Sequence, residues 1–114
     1  MQNQPFITNL QPPYYAVIFS SIRNDVDHSA YDEMNNRLMA LAQKQPGFLG
    51  VDSVRDKLGI TVSYWKSPSA IKAWQIQSDH LLAKSQARAS WYKTYTIRIA
   101  RVEQAHDFSA KQLP

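Results

Sequence analysis

One segment, Tyr14–Ile22, limits the possible folds of this chain more than any other. It reads YYAVIFSSI, and its β-branched and aromatic residues favour a β-strand. Successive side chains of a strand point to opposite faces, and both faces of this segment carry apolar residues: Tyr15, Val17 and Phe19 on one, Ala16, Ile18 and Ile22 on the other. A strand of this kind needs apolar cover on both sides. We therefore expect it inside a sheet that is covered on both faces.

The pattern of the remaining chain predicts two helices and three further strands. A first helix is expected from Ser29, a suitable N-cap, to about Lys44, and Pro46-Gly47 ends it. Ser67-Pro68 is typical of a helix start and predicts a second helix over 68–85. Alternating or β-branched patterns predict the strands, over 48–55, 60–65 and 91–102.

The predicted order is β-α-β-β-α-β, which indicates an α+β, ferredoxin-like fold with two helices on one face of a four-stranded antiparallel sheet. We expect the other face to stay apolar, through strand one and through Tyr95, Ile97 and Ile99 of the last strand. Large apolar faces are seldom left in water. A homodimer packed through this sheet face is therefore expected.

Composition fits one domain, which we place at 14–108 between a flexible lead-in, 1–13, and a tail, 109–114. With no cysteine, the chain excludes thiol chemistry and disulfides. We find no signal peptide and no apolar run long enough to cross a bilayer, so we expect a cytoplasmic protein with no membrane partner. Residues 57–101 hold eight basic side chains and one acidic one, a charge pattern typical of either a solvated surface or an attraction for anions.

Several motifs together resemble a known family. They are Gln45-Pro46-Gly47-Phe48-Leu49-Gly50, Thr61-Val62-Ser63-Tyr64-Trp65, Trp74 with His80 downstream, and Arg88 ahead of Trp91-Tyr92. Over roughly residues 14–108 the chain is similar to the antibiotic biosynthesis monooxygenase-like domain, and most similar to a subgroup of it to which no activity is assigned. The resemblance implies a dimeric α+β barrel. It also implies a cofactor-independent monooxygenase that acts on an aromatic or enolisable small molecule.

The same family also includes heme-degrading members, so the resemblance implies heme as a second possibility for the cofactor. They use a first-strand asparagine, a strand tryptophan and a helix histidine that binds iron. Trp65 and His80 match the last two, but the first strand has only Ser20 and Ser21 as polar residues. We therefore expect no cofactor, with heme as the less favoured alternative. A dimer that binds a small molecule or heme without turnover is the alternative function, and the sequence leaves open whether the chain is an enzyme.

The candidate catalytic residues are His80 and Arg88. A neutral imidazole at His80 suits proton abstraction near neutral pH, and a surface histidine on the helix flank is the alternative interpretation. The arginines Arg55, Arg88 and Arg98 suit the binding of a carboxylate or an enolate oxygen, unless they pair with acidic residues or face solvent.

Candidate substrate-binding residues supply an aromatic slot and hydroxyl groups. We expect Trp74 in the core and Trp65 in the ligand wall, because Trp65 has polar neighbours. The other candidates are Ser20, Ser63, Tyr64, Arg55 and Trp91. No metal cluster or Ser-His-Asp arrangement is evident. RNA-recognition domains share this element order, but the third strand, ITVSYW, lacks their basic-glycine-aromatic signature, so no nucleic-acid partner is expected.

Overall fold

The structure, a computed structural model, describes residues 6–24, 29–85 and 91–110. The elements follow in the predicted order: β1 (Tyr14–Arg23), α1 (Ser29–Gln43), β2 (Phe48–Arg55), β3 (Leu58–Trp65), α2 (Pro68–Ser85) and β4 (Tyr92–Val102). The predicted ferredoxin-like fold is confirmed. Residues 103–110 form no helix or strand.

The sheet is antiparallel, and its strand order is β2-β3-β1-β4. β1 is central: Val17 pairs with Ser63 of β3 on one side and with Ile99 of β4 on the other. β4 therefore forms one edge of the sheet, which leaves its outer backbone groups without a neighbouring strand in the described chain.

Local sequence explains where the helices begin and end. The hydroxyl of Ser67 accepts a hydrogen bond from the Ala70 amide at 3.1 Å, which is the cap expected ahead of Pro68. After α1, Gly47 adopts a φ of 86°, a backbone conformation that residues other than glycine rarely adopt. The Gly47 carbonyl accepts a hydrogen bond from the Lys66 amide at 2.8 Å. The turn after α1 is thereby fixed to the end of β3.

The core lies between the helices and the sheet, near one end of β1. Its buried members are Val17, Ala42, Trp65 and Ile71. Trp65 is completely buried and Ile71 is 1% exposed. These residues anchor both helices to the sheet face that carries the odd-numbered residues of β1, here called the helix-facing side.

The expectation for β4 was wrong in one respect. Ile99 pairs with Val17 and Ile97 with Phe19, so both isoleucines share the helix-facing side instead of the opposite face. They are nevertheless 53% and 48% exposed, because β4 lies at the edge of the sheet, beyond the cover of the helices. Strand pairing, which alternation within β4 alone does not specify, decides this placement.

The opposite side of the sheet, here called the outer face, is partly covered by the segment that precedes β1. The Ile7 amide donates to Asp52 Oδ1 at 2.7 Å, and the Ile7 side chain fills the space beside Gly50. The Asn9 amide donates to Asp107 Oδ2 at 2.8 Å. Residues 6–13 are thus tied to β2 and to the chain beyond β4. No helix in the described residues has the length and apolar character needed to cross a membrane.

Candidate functional site

A cavity of about 330 Å³ lies between the two helices and the sheet, and we call it the helix–sheet cavity. Its size falls at the lower end of the range of small-molecule sites. Six aromatic side chains line it: Phe19, Tyr31, Trp74, Trp91, Tyr92 and Tyr95. Such walls suit a flat, largely apolar ligand.

The floor of the cavity is the helix-facing side of the three strands β3, β1 and β4. The floor consists of Val17, Phe19, Thr61, Ser63, Tyr95 and Ile97. The Ser63 hydroxyl accepts a hydrogen bond from Trp65 Nε1 at 2.9 Å, and Ser63 is 4% exposed. The described floor is therefore apolar apart from the hydroxyl groups of Thr61, Ser63 and Tyr95.

The two helices form the roof. α1 supplies Tyr31, Met34, Asn35, Leu38 and Met39, and α2 supplies Trp74, Gln75, Ser78 and Asp79. Trp74 packs on Trp65 with ring centroids 5.2 Å apart, and its indole Nε1 is enclosed without a hydrogen-bond partner in the described part of the chain. Among the described lining residues the acidic one is Asp79, which is exposed.

One end of the cavity is formed by two tyrosines. The Tyr31 ring meets the rings of Tyr92 and Trp91 edge to face, each at 5.7 Å. Burial raises the pKa of Tyr92 well above its usual range, and the hydrogen bond between the Tyr92 and Tyr31 hydroxyls adds to the rise. The nearby charges of Arg55 and Arg23 act on this pKa in the opposite direction. The Tyr92 phenol is therefore a neutral hydrogen-bonding group close to positive charge.

Arg55 reaches this end of the cavity by crossing a glycine. Gly59 lies between β2 and β1, pairing with Arg55 on one side and Ser21 on the other. The guanidinium lies over Gly59 so closely that any Cβ there would overlap it. It donates to the buried Ser21 hydroxyl, and its Cζ lies 5.8 Å from the Tyr31 ring centroid. Arg55 Nη1 is enclosed and has no hydrogen-bond partner within residues 6–24, 29–85 and 91–110.

Two predicted site residues, Ser63 and Trp91, line the cavity, and Arg55 lies behind one end of it. Trp65 and Trp74 have exchanged the positions expected for them. Trp65 is completely buried in the core and outside the lining, whereas Trp74 lines the cavity. The reason is the position of α2, which places Trp74 between Trp65 and the open space of the cavity.

Three predicted binding residues, Ser20, Tyr64 and Arg98, lie on the outer face, away from the cavity. Ser20 pairs with Ile60, and Tyr64 donates a hydrogen bond to Asp52 Oδ2 at 2.7 Å. Arg98 pairs with Ile18 and is exposed. Adjacent residues of a strand face opposite sides, so Ser63 and Tyr64 cannot both contact one ligand. Alternation alone could have separated them.

The two predicted catalytic residues differ in what the structure says of them. His80 is exposed on α2 and is not part of the lining, although its neighbour Asp79 is. Arg88 lies outside the described residues. Their roles stay predictions.

Sequence reasoning missed Tyr31, Tyr92 and Asp79 as cavity residues. The helical pattern of α1 does not tell whether Tyr31 faces the core or a cavity, and alternation within β4 does not single out Tyr92. The signal available in the sequence was the density of aromatic residues in β4, which carries Tyr92 and Tyr95. These two are three residues apart, an odd spacing that alternation would place on opposite faces, and an irregularity in the pairing of β1 with β4 lies between them.

The lining does not suit heme iron. Among the described residues that line the cavity there is no histidine, and His80 is exposed outside it. The raised pKa of Tyr92 disfavours a phenolate ligand at that position. No group of three metal-binding side chains occurs within residues 6–24, 29–85 and 91–110.

Comparisons with known proteins agree with this fold. No family model matches the chain. YqjZ, an uncharacterized protein of Bacillus subtilis, is 49% identical over 100 residues, which cover 86% of this chain and 87% of YqjZ.

Among solved structures, SnoaB, a cofactor-independent oxygenase from Streptomyces nogalater, superposes with a TM-score of 0.67 and 14% identity, covering 82% of this chain and 97% of SnoaB. A "putative antibiotic biosynthesis monooxygenase" from Nitrosomonas europaea has a TM-score of 0.66 at 15% identity, over 83% of this chain and 95% of its own. PA3566 of Pseudomonas aeruginosa has a TM-score of 0.64 at 16% identity, over 86% of this chain and all of its own. The chain therefore belongs to one protein family with YqjZ, and its fold is that of the antibiotic biosynthesis monooxygenase-like proteins that its sequence resembles.

Proposed function

We propose that this protein is a cofactor-independent monooxygenase acting on an aromatic or enolisable small molecule bound in the helix–sheet cavity. The observation that carries the proposal is the cavity itself, about 330 Å³ in volume and walled by six aromatic side chains. The fold shared with SnoaB, a cofactor-independent oxygenase, supports the same reaction class.

The reaction consumes one molecule of oxygen for each substrate. A base removes a proton from a CH₂ group next to a carbonyl or an aromatic ring, and the resulting carbanion reacts with O₂. The peroxide formed at that carbon then loses water, so one oxygen atom becomes a new carbonyl and the other leaves as water. No external reductant is needed, because the substrate CH₂ supplies the electrons.

We infer that Asp79 is a better candidate for the base than His80. The Asp79 side chain lines the cavity, whereas the His80 side chain does not. A base must come within hydrogen-bonding reach of the proton that it removes, directly or through one water molecule. The position of Asp79 in the lining, on the α2 side of the cavity, supports this assignment.

The test is oxygen uptake with an anthrone-type compound, measured with an oxygen electrode and by the absorbance of the product. The wild-type protein should consume one O₂ per substrate oxidised, and Asp79→Asn should lower the rate about 100-fold or more. His80→Ala, one residue away and exposed, is the matched control and should retain the rate. A reversed pattern would restore His80 as the base, and no uptake by the wild type with any enolisable aromatic compound would refute the oxygenase.

The second candidate function is binding without turnover, as a carrier or sensor of an aromatic compound. It is favoured by the small number of ionisable groups in the lining. Quenching of tryptophan fluorescence by the anthrone-type compound, without oxygen uptake, would support it. A parallel titration with heme should give no shifted heme absorbance band, because the described lining offers no histidine.

We further propose that the protein is a homodimer. Two apolar surfaces support this proposal. One is the strip of Tyr95, Ile97 and Ile99 on the edge strand, 40–53% exposed, and the other is the outer face around the half-buried Ile18 and Val62. Light scattering at micromolar concentration should give twice the mass of one chain. A monomeric mass would contradict the proposal.

A further inference from the structure

Among the residues that the structure describes, the positive charge of Arg55 has no negative partner. No carboxylate among the described residues forms an ion pair with it, and its described hydrogen bond goes to the neutral Ser21 hydroxyl. Its Nη1 is enclosed and unpaired. A buried charge or donor that lacks a partner destabilises a fold, so an enclosed and unpaired group calls for an explanation, and a bound ligand is one.

Arg23 provides a contrast at the same place. Its guanidinium lies 4.7 Å from the Tyr31 ring centroid, on the same ring that Arg55 contacts. However, it pairs with Asp32 at 3.4 Å, and that carboxylate is largely exposed. The charge of Arg23 is thus balanced locally, whereas no described acidic residue balances that of Arg55.

The uncompensated charge lies next to the helix–sheet cavity. Tyr31, whose ring Arg55 contacts, lines the cavity together with its hydrogen-bonded neighbour Tyr92. Along the helix-facing row of β1, Val17 and Phe19 form the floor, and Ser21, the partner of Arg55, comes next. Positive charge in a poorly solvated site acts over several ångströms, so direct contact with a ligand is not required.

We propose that the helix–sheet cavity selects aromatic ligands that carry a negative charge, such as a carboxylate, phenolate or enolate, and that Arg55 sets this selectivity. The anionic group of the ligand lies at the Tyr31–Tyr92 end, and the apolar ring lies between the sheet floor and Trp74. This inference rests on the binding of an aromatic ligand in the cavity, as in the proposed function. An enolate intermediate of the proposed reaction would carry the same negative charge.

The test uses two ligands of nearly the same shape, 2-naphthoate and its neutral amide 2-naphthamide, titrated while tryptophan fluorescence is followed. Trp74 and Trp91 both line the cavity and report on its occupancy. The wild-type protein should bind the carboxylate about tenfold more tightly than the amide, which corresponds to about 1.4 kcal/mol. Arg55→Gln should remove the preference while leaving the affinity for the amide within about twofold.

Two further variants separate position from net charge. Arg101→Gln removes the same charge at an exposed position near the other end of β1, where Arg101 pairs with Tyr15, and it should keep the preference. Gly59→Ala leaves the arginine in the chain but places a methyl group where the guanidinium lies, so it should weaken the preference as Arg55→Gln does.

Equal wild-type affinities for the two naphthalene ligands would overturn the inference, as would a preference that survives in folded Arg55→Gln. If Arg55→Gln does not fold, the wild-type ratio and Gly59→Ala decide the question. Oxygen uptake is not part of this measurement. If the charge preference is found but the anthrone-type compound gives no oxygen uptake, only the oxygenase is refuted. If that compound is oxidised but no charge preference is found, only the role of Arg55 is refuted.

Discussion

At the scale of single residues, Trp65 and Trp74 illustrate how two stacked indoles come to differ. Their ring centroids are 5.2 Å apart, but Trp65 is completely buried and its Nε1 donates to Ser63. The Nε1 of Trp74 is enclosed without a partner. An unpaired buried donor destabilises the fold, whereas a paired one does not.

We therefore expect Trp65→Phe to destabilise the protein more than Trp74→Phe, by about 1–3 kcal/mol. The first substitution leaves a cavity in the core and deprives the Ser63 hydroxyl of its donor. The second removes an unpaired N–H, and its main effect should be weaker binding of 2-naphthamide. Urea unfolding monitored by circular dichroism measures the first difference. Equal losses of stability would show that the hydrogen bond to Ser63 contributes nothing.

At the scale of elements, the start of α2 depends on one hydroxyl group. Ser67→Ala should lower the free energy of unfolding by about 1 kcal/mol, because the Ala70 amide loses its acceptor. Ser69→Ala is the control, because its hydroxyl contacts only that of Ser67 in the described structure and leaves the cap intact. The midpoint of urea unfolding compares the two variants. If both lower it equally, the cap is not the source of the effect.

The elements are also where sequence and structure can be compared in physical terms. Local signals sufficed for α2, since a Ser-Pro start and a helical apolar pattern lie within the segment itself. They did not suffice for β4, where the face of Ile97 and Ile99 depends on pairing with β1, far away in sequence. The prediction of the site was wrong for the same reason. Which tryptophan lines the cavity depends on how α2 packs against the sheet, and the sequence pattern of α2 alone does not contain that information.

At the scale of the whole molecule, two tyrosines on opposite sides of the sheet limit stability in alkali. Burial and a hydrogen bond to Asp52 raise the pKa of Tyr64 on the outer face, and burial with the bond to Tyr31 raises that of Tyr92 at the cavity. The folded protein therefore keeps two protons that the unfolded chain releases above about pH 10.

The contribution of these two tyrosines to the free energy of unfolding should consequently not change with pH below about pH 10. It should fall as the pH rises beyond that value. Tyr64→Phe and Tyr92→Phe should each make that fall less steep, and their effects should add, because the side chains lie on different faces and share no partner. Urea unfolding at a series of pH values between about 7 and 11 tests this. An unchanged slope in both variants would contradict the assignment.

The segment before β1 also has a consequence for how the polypeptide is connected. The bond from the Asn9 amide to the Asp107 carboxylate brings together residues 98 positions apart. The chain thus enters and leaves the domain at neighbouring points on its surface. A circular permutant that joins these points through a short glycine-serine linker and opens the chain at the exposed Asp56-Lys57 turn should keep every strand pairing of the sheet.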